Sequence, residues 1–303
     1  MRVLITGGAG YIGTELTYLL AEKKEVDEII VYDNLSRKNY NLFLGRRKLP
    51  GEKVRFVQGE ILDTRKLRKK LDGIDMVYHL AAKVTTPFAD QSPHEFEQIN
   101  NWGTAELIYT LEQQKIKHLV FLSSASVYGA SEKEVDIDTV LNPRTFYGIS
   151  KKRGEAHVNR LVSSDIKTHI IRCGNVYGYS KSMRFDSVIN KFIFEANFNG
   201  KISINGSGEQ FRSFIQINRA SDFLASLTDT SLNPDVYNLV ENSYSVNEIA
   251  QTLQEIYPEM EMIFVNQNMK LRQLRVKPDP RIKLTNTKDL KSDLIEFKKE
   301  FAF

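Results

Sequence analysis

The 303-residue sequence contains only one cysteine, Cys173, and only one tryptophan. A single cysteine excludes an internal disulfide framework and any metal site built from several cysteines. The chain also lacks an apolar run near the 18 residues that a membrane-spanning helix needs, and its start, MRVLITGG, has no long apolar segment of the kind found in secretory leaders. We therefore expect a cytoplasmic protein that does not associate with membranes.

Excess charge of one sign is also missing. The 42 basic and 38 acidic residues leave a net charge of +4, which is small for a chain of this length. The basic run RKLRKK, residues 65–70, falls on a predicted helix and indicates a solvated helix face rather than a nucleic-acid site. The five histidines show no metal-ligand spacing. We expect neither a nucleic-acid partner nor a bound metal.

Short apolar runs rich in β-forming residues recur through the first half of the chain. They lie at 2–8, 28–34, 54–60, 75–82, 118–126 and 168–175. Segments with helical periodicity, such as 13–24 and 101–115, lie between most of them. This alternation predicts right-handed crossovers and a parallel sheet covered on both faces, an α/β doubly wound fold.

The alternation weakens after residue 175, where a helical segment is followed by a strand, a turn and a strand over 201–217. We therefore predict two units. The first covers residues 1–174 and is rejoined by the chain at about 212–230. The second is a smaller region over 175–303.

Residues 6–13, TGGAGYIG, follow the first predicted strand and open a helix. Gly7, Gly10 and Gly13 would allow a tight turn, a backbone bare enough for a pyrophosphate to approach, and a helix packed closely on its strand. Asp33 comes 20 residues after Gly13, at a strand end where a carboxylate can accept hydrogen bonds from ribose. The combination predicts a Rossmann dinucleotide site. Asp33 would repel a 2′-phosphate, which favours NAD, although the nearby Arg37 leaves NADP open.

A tyrosine four residues before a lysine occurs twice, as Tyr147–Lys151 and as Tyr177–Lys181. This spacing places two side chains one turn apart on the same face of a helix. Tyr147 opens a predicted helix, whereas Tyr177 falls in a glycine-rich segment predicted to be a loop. Ser124 ends the fifth predicted strand, at the edge where doubly wound sheets bind ligands. The context therefore favours Tyr147 over Tyr177 as the functional tyrosine.

Several motifs occur together in a fixed order: TGGAGYIG, YDNLS, HLAA (79–82), Asn100 in NNWGT, SSASVYG (123–129), YGISK (147–151), IRCGNVYG (171–178), MRFDSVIN (183–190) and GSGEQFRSFI (206–215). Through them, roughly residues 1–290 resemble the extended short-chain dehydrogenase/reductase family, and within it the NAD-dependent nucleotide-sugar epimerases and dehydratases, among them the UDP-glucose 4-epimerase-like members. The resemblance implies NAD as cofactor, a nucleotide sugar as substrate, most commonly a UDP-sugar, and a homodimer in which helices near 94–114 and 147–163 pair across a two-fold axis.

The resemblance also implies residue roles. Tyr147 would be the catalytic acid/base, Lys151 its partner and Ser124 the third catalytic residue. The implied cofactor-binding residues are Gly7, Gly10, Tyr11, Ile12, Gly13, Asp33, Asn34, Glu60, Ile61, Leu80, Ala81, Ala82, Asn100, Tyr147 and Lys151. The implied substrate-binding residues are Ser124, Ser126, Asn175, Asn190, Arg212 and Arg275, with Arg281 as an alternative phosphate contact.

The expected chemistry begins with a tyrosinate. A free phenol has a pKa near 10, and a neighbouring ammonium together with the positive nicotinamide ring would lower it. Tyrosinate would take a sugar hydroxyl proton while hydride leaves the same carbon. Dehydratases of this family carry an acidic pair after the active-site hydroxyl, and decarboxylases a Glu at the second position; this chain has Ala125 and Ser126.

The simplest remaining reaction is hydride return to the opposite face, an epimerisation most simply at C4 of a UDP-hexose. A reductase or dehydratase of the same family and a non-catalytic dinucleotide sensor stay as alternatives. The chain departs from the family pattern in three ways. Glu60 replaces an aspartate, Arg219 replaces an acidic residue, and the C-terminal end is short. Cys173 and His79 are expected to be packing residues.

Overall fold

The computed structural model describes residues 1–44, 48–84, 92–266 and 271–301. Strands β1–β12 cover, in order, Arg2–Thr6, Glu28–Asp33, Val54–Gln58, Met76–His79, His118–Ser124, Lys167–Cys173, Asn175–Tyr177, Lys201–Asn205, Phe211–Gln216, Val236–Leu239, Asn242–Ser245 and Glu261–Val265. Helices α1–α9 cover Tyr11–Glu22, Thr64–Leu71, Pro93–Phe96, Gly103–Leu111, Phe146–Val158, Val188–Asn199, Ile217–Ser226, Val246–Ile256 and Leu290–Lys299.

Seven strands form one sheet in the order β10-β6-β5-β4-β1-β2-β3, and each neighbouring pair is parallel. All six apolar runs identified in the sequence contribute a strand, so the predicted doubly wound α/β fold is confirmed. The strand order reverses at β1, where β2 lies on one side and β4 on the other. Ligands bind outside the carboxyl ends of the strands at such a point.

Helices cover both faces of this sheet. On one face, Leu16 and Leu20 of α1 pack with Leu224 of α7 in a fully buried core. On the other face, Leu107 of α4 and Val158 of α5 pack in a second buried core. Strands buried on both sides must be apolar along their whole length, which explains why the sequence shows continuous apolar runs rather than alternation.

The C-terminal region has an apolar core of its own, built from α6, α8, α9 and strands outside the large sheet. The strands predicted within 201–217 are both present, but they join different sheets. β8 pairs in parallel with β12, whereas β9 lies between β7 and β11. The chain rejoins the large sheet through α7 and β10. Residues 302–303, at the end of the predicted second unit, lie outside the described residues.

Two further features concern the helices. Residues Glu97–Trp102 form a π-helical turn that joins α3 to α4, which the sequence did not predict. Within the ranges given above, no helix combines the length and apolarity needed to cross a bilayer.

Candidate active site

The turn between β1 and α1 has room only for glycine at two positions. Gly7 has a φ of +73°, and a Cβ there would lie 2.6 Å from the backbone N of Ala81. A Cβ on Gly13 would lie 2.4 Å from the carbonyl oxygen of Gly7. The N-cap of α1 is Gly10, and no side chain caps this helix end. Tyr11 and Ile12 open the helix, so its first N–H groups and positive dipole end suit a pyrophosphate.

Asp33 ends β2 beside this turn. Its Oδ2 accepts a hydrogen bond from the N–H of Ala9 at 3.0 Å, and its Oδ1 accepts one from Leu35 at 2.8 Å. Burial raises the pKa of Asp33, and the two N–H donors oppose that shift. Each carboxylate oxygen keeps acceptor capacity for a ribose hydroxyl. Arg37, which left NADP open, has an ion pair with Asp186 at 3.8 Å.

The structure accommodates Glu60, which replaces an aspartate of the family pattern. The exposed Glu60 carboxylate accepts a hydrogen bond from Asn34 Nδ2 at 2.9 Å, while Ile61 is buried. A Cβ on Gly103 would lie 2.6 Å from the Ile61 side chain. The longer acidic side chain therefore turns outward and leaves the buried contact to Ile61.

The segment after β4 forms the other wall. The N–H groups of Leu80 and Ala81 donate to the backbone carbonyl and hydroxyl of Thr6, at 3.0 and 3.3 Å, and Ala82 follows. His79 is fully buried between the hydroxyls of Thr6 and Thr104, at 2.7 and 3.0 Å. Burial, with a smaller effect from Lys151, lowers the pKa of His79 to about 3. His79 is thus a neutral packing residue beside the cleft.

Asn100 connects this wall to α5 from the π-helical turn. Its Oδ1 accepts from the N–H of Lys83 at 2.8 Å, and its Nδ2 donates to the Lys83 carbonyl at 2.9 Å and to Ser150 Oγ at 3.0 Å. Asn100 is 1% exposed. A π-turn shifts the helix by one residue, and such turns occur frequently at functional sites.

The structure brings Ser124 and Tyr147 together. Ser124 ends β5, and Tyr147 is the second residue of α5, whose N-cap Thr145 accepts from the N–H of Gly148 at 3.0 Å. The side chain of Ser124 is close enough to act on the Tyr147 phenol. Burial raises the pKa of Tyr147, whereas the Ser124 hydrogen bond and the charge of Arg184 lower it.

Lys151 lies one turn further along α5 and is 2% exposed. Its Nζ is 4.2 Å from the centroid of the Phe121 ring. Burial lowers the pKa of Lys151 to about 7, while the charge of Glu155 raises it.

The second tyrosine–lysine motif has a different setting, and its predicted loop conformation is wrong. Tyr177 ends the short strand β7, is 3% exposed, and donates its hydroxyl proton to Asp293 Oδ2 at 2.6 Å. Burial raises the pKa of Tyr177 far above the ordinary value. Lys181 Nζ lies 5.3 Å from the Tyr18 ring centroid and 3.3 Å from the Leu44 carbonyl oxygen.

Two arginines meet around Phe211 in the predicted phosphate region. The Arg275 guanidinium carbon lies 4.0 Å from the Phe211 ring centroid, and its buried Nε has no hydrogen-bond partner among the described residues. Arg212 Nη1 donates to the Phe211 carbonyl at 2.8 Å and also to the Arg272 carbonyl. Burial, followed by the charge of Arg272, lowers the pKa of Arg212. A buried donor among guanidinium groups suits an anionic ligand.

The remaining predicted substrate-binding residues differ in how exposed their side chains are. Asn175 is exposed at the start of β7, and Ser126 is half-buried with its hydroxyl 3.2 Å from Ser124 Oγ. Asn190 is fully buried: it accepts from the N–H of Gly178 and donates to the hydroxyl of Tyr11 and the carbonyl of Arg184. Through these bonds Asn190 positions the segment from Gly178 to Arg184 against Tyr11.

Arg281, the alternative phosphate contact, is paired with Asp279 at 2.7 Å and with Asp235 at 2.6 Å. Its charge is therefore already balanced by two carboxylates. Arg275 is the better placed of the two candidates, because its buried Nε still requires an acceptor.

Arg219, which replaces a usual acidic residue, also has an explanation. It is 4% exposed on α7, where its guanidinium contacts Asp293 at 2.5 Å and Glu241 at 2.8 Å. The reversed charge at position 219 is thus matched by two carboxylates. Because Asp293 belongs to α9, this cluster fastens the C-terminal core to a helix of the large sheet.

A segment that overlaps the MRFDSVIN motif crosses the N-terminus of α1, a contact that the sequence did not predict. We call residues 178–187 the strap. The Tyr11 hydroxyl donates to the Gly178 carbonyl at 2.5 Å, and Thr14 Oγ1 donates to Ser182 Oγ at 2.7 Å. Asn41 Nδ2 donates to the Lys181 carbonyl at 2.5 Å. With the ion pair between Arg37 and Asp186, these contacts hold the strap against the dinucleotide-binding half.

This geometry agrees with the known proteins that the chain resembles. The model of the NAD dependent epimerase/dehydratase family matches residues 3–239. The chain belongs to this family. NAD is the family's cofactor, and the bare glycine turn, the uncapped α1 end and the Asp33 carboxylate fit it. The resemblance inferred from the motifs is confirmed, as is the predicted cofactor.

Relatives with two different activities match the chain to the same degree. Human dTDP-D-glucose 4,6-dehydratase is 30% identical over 267 residues, covering 85% of this chain and 74% of that protein. UDP-glucose 4-epimerase from Lactobacillus helveticus is 30% identical over 279 residues, covering 84% and 82%. The family is therefore one of nucleotide-sugar epimerases and dehydratases, and the choice between the two reactions depends on the site residues.

Solved structures share the fold. UDP-N-acetylglucosamine 4-epimerase from Methanobrevibacter ruminantium, in complex with UDP-N-acetylmuramic acid, has a TM-score of 0.86 at 23% identity and covers 99% of this chain and 97% of its own. UDP-glucuronic acid 4-epimerase from Bacillus cereus, in complex with UDP-glucuronic acid and NAD, has a TM-score of 0.83 at 24% identity with complete coverage of both chains. The seven-stranded sheet and its C-terminal region thus form a known architecture.

Proposed function

We propose that this protein catalyses the NAD-dependent epimerisation of a nucleotide sugar, most simply at C4 of a UDP-hexose. One observation carries the choice of reaction. The two residues that follow the proposed catalytic Ser124 are Ala125 and Ser126, neither of which can supply a carboxylate for elimination or decarboxylation. This chain therefore belongs to the same family as the dehydratase relatives but lacks the acidic pair that elimination uses.

The proposed mechanism assigns one role to each catalytic side chain. NAD, when bound, accepts a hydride from the sugar carbon and returns it. Tyr147, as tyrosinate, accepts the proton of the sugar hydroxyl and later gives it back. Ser124 donates a hydrogen bond to the oxygen that becomes a carbonyl. Lys151 in its ammonium form lowers the pKa of Tyr147 and offsets the effect of burial.

Binding of the substrate nucleotide is assigned to the C-terminal region. Arg212 and Arg275 would bind the diphosphate, because guanidinium groups match phosphate oxygens in charge and geometry and the buried Arg275 Nε needs an acceptor. Asn175 is exposed and pairs with Phe214 in the register of β7 and β9, close to Arg212. Its Nδ2 donates to the Ser213 carbonyl at 3.1 Å, so its amide oxygen would face the ligand. We propose UDP as the nucleotide and Ser126 as a contact to the sugar.

The strap supports an epimerase over a reductase. An epimerase leaves NAD unchanged after each turnover and works best if the cofactor stays bound, whereas a reductase must exchange it. The strap crosses the α1 end through the hydroxyls of Tyr11 and Thr14 and the amide of Asn41. We propose that these bonds hold the strap over the bound NAD and slow its release.

We also propose a homodimer formed through α4 and α5. Trp102 is 55% exposed in the π-helical turn, Tyr109 is 41% exposed on α4, and Phe146 is 44% exposed at the start of α5. Large aromatic side chains are enriched at protein interfaces. Light scattering should give the mass of a dimer for the wild type and of a monomer for Trp102→Glu. A monomeric wild type, or a Trp102→Glu variant that stays dimeric, would contradict this interface.

The proposed reaction is tested by incubating the purified protein with a panel of nucleotide sugars in deuterated water, without added cofactor, and following products by NMR. We expect a C4 epimer free of solvent deuterium, and no product from Tyr147→Phe. Solvent deuterium on carbon, a 4-keto product, or turnover only with added NAD(P)H would each contradict the proposal and point to another reaction of this family. Tight NAD binding without turnover of any sugar would indicate a sensor.

A further inference from the structure

The turn after β2 carries an arginine, Arg37, four residues beyond Asp33. Two non-glycine residues of this turn have left-handed backbone conformations, Leu35 with a φ of 57° and Lys38 with a φ of 52°. The N–H of Leu35 donates to Asp33 Oδ1 at 2.8 Å, and the N–H of Lys38 donates to the Leu35 carbonyl at 2.8 Å. Strained conformations persist only where their surroundings enforce them, and they cluster at functional sites. The turn therefore fixes the backbone of Arg37 close to the Asp33 carboxylate.

The side chain of Arg37 faces the strap. Its Nη2 lies 3.8 Å from Oδ1 of Asp186, and no other ion pair or hydrogen bond of this guanidinium is present among the residues that the structure describes. Asp186 also accepts hydrogen bonds from Arg184 Nε at 3.0 Å and Nη2 at 2.9 Å, which orient its carboxylate. The Arg37 side chain is 48% exposed, so it can turn to another anion if Asp186 loses its charge.

The position of this ion pair bears on the choice of cofactor. NADP differs from NAD by a phosphate on the 2′-hydroxyl of the adenosine ribose. In Rossmann folds a carboxylate at the end of the second strand binds that hydroxyl in NAD, whereas an arginine nearby accommodates the phosphate in NADP. This chain has both groups, Asp33 and Arg37. To reach Arg37, a 2′-phosphate would have to displace Asp186 or lie beside its negative charge.

We propose that Asp186 is a specificity-determining residue for the cofactor. Its carboxylate attracts Arg37 to the strap and withholds the guanidinium from a 2′-phosphate, which adds to the repulsion by Asp33. The inference takes NAD as the family's cofactor and the ion pair from the structure. It is independent of the proposed epimerisation, since cofactor binding is measured without a sugar.

The test compares the binding of NADH and NADPH to protein freed of nucleotide with charcoal, followed by the fluorescence of the reduced nicotinamide. The measured quantity is the ratio of the dissociation constant for NADPH to that for NADH. We expect the wild type to prefer NADH, and Asp186→Asn to lower the ratio about fivefold, the size expected for a partly exposed ion pair. Asparagine keeps an acceptor for Arg184 but has no charge for Arg37. A merely loosened strap would raise both constants and leave their ratio unchanged.

Further variants assign the effect to Arg37. Arg37→Gln/Asp186→Asn should show the ratio of Arg37→Gln alone, because the guanidinium that Asp186 withholds is absent from both. Asp186→Glu keeps the charge and should stay near wild type. Glu112→Gln is the matched control, because Glu112 is a carboxylate outside the strap that pairs with Arg160 at 3.0 Å.

Three results would overturn the proposal: an unchanged ratio in Asp186→Asn, an equal fall when Asp186→Asn is added to Arg37→Gln, or a wild type that prefers NADPH. If Asp186→Asn does not fold, Asp186→Ser takes its place, since it also removes the charge and should give the same fall. A protein that shows this fall but turns over no nucleotide sugar would contradict the proposed function and support the inference. A protein that epimerises a sugar and shows no fall would contradict the inference alone.

Discussion

The two tyrosine–lysine motifs have the same spacing but lie in different secondary structure and have different side-chain partners. Tyr147 lies in the first turn of helix α5, where the Ser124 side chain lowers its pKa, and Lys151 is buried one turn away. Tyr177 ends strand β7 with its hydroxyl bound to Asp293, while Lys181 contacts the α1 side of the molecule. A four-residue spacing thus has a chemical meaning only where the backbone is helical and a reacting group has access.

The comparison also separates two kinds of region. The dinucleotide-binding half builds its site from strand ends and glycine turns, so neighbouring positions in one sheet edge supply the contacts. The C-terminal region depends on side-chain bonds between distant positions, such as Tyr177 with Asp293, which are 116 residues apart. Substitutions in the two motifs should therefore affect different properties.

The largest expected effect comes from replacing the two tyrosines by phenylalanine. Tyr147→Phe removes the proposed acid/base and should lower kcat by about 100- to 10,000-fold with little change in stability. Tyr177→Phe should keep most of the activity and lower the free energy of unfolding by about 1 kcal/mol, because it removes one buried hydrogen bond. Steady-state kinetics and denaturant unfolding measure the two effects. Equal losses of activity would contradict the assignment.

The next effect concerns the cluster that anchors Tyr177. Arg219→Met would leave Asp293 and Glu241 buried without their cation, and removing one partner of a buried pair costs about 3–5 kcal/mol. We expect a large fall in the denaturation midpoint while NAD binding persists in the protein that remains folded. A variant as stable as wild type would show that Arg219 does not fasten α9 to the sheet.

The two lysines should differ in the step that they affect. Lys151→Met should lower kcat by about 100-fold and raise the pH at which Tyr147 ionises, since the ammonium is lost. Lys181→Met should leave kcat near wild type and release NAD several-fold faster, because Lys181 belongs to the strap. Single-turnover kinetics and the rate of NAD loss during dilution separate the two. If Lys151→Met released NAD faster and Lys181→Met did not, the roles assigned to the two lysines would be contradicted.

The smallest expected effect lies at the phosphate region. Arg275→Met should raise KM for the nucleotide sugar by about tenfold while kcat changes little, because it removes a charged contact to a part of the substrate that does not react. Arg281→Met is the matched control, since Arg281 is already paired with Asp279 and Asp235. A larger KM change in the control would favour Arg281 as the phosphate contact.

The sequence predicted most of the sheet and the grouping of the dinucleotide residues. Parallel strands buried on both faces require apolar runs, and the carboxyl ends of those runs meet at one edge, so Gly7, Asp33 and Ser124 could be placed from their positions alone. The strand β10 was missed because it is only four residues long and carries no alternation that distinguishes it from a loop.

The features that were missed depend on tertiary partners. Tyr177 was predicted in a loop because β7 is three residues long and is flanked by Gly174 and Gly178. The partners of Arg219 lie 22 and 74 residues away, and no local pattern links them. The strap contacts bridge positions about 140 to 170 residues apart. Side-chain pairs at such separations leave no periodic signal in one sequence.

The central claim is that one hydride leaves the sugar carbon and returns to the same carbon within one active site. The direct measurement uses a nucleotide sugar carrying deuterium at C4, incubated with wild-type protein together with the unlabelled substrate. We predict that the C4 epimer keeps its deuterium on the molecule that began with it, with no transfer to the unlabelled sugar. Loss of the label to solvent, or its appearance in the unlabelled sugar, would contradict hydride return to the same substrate.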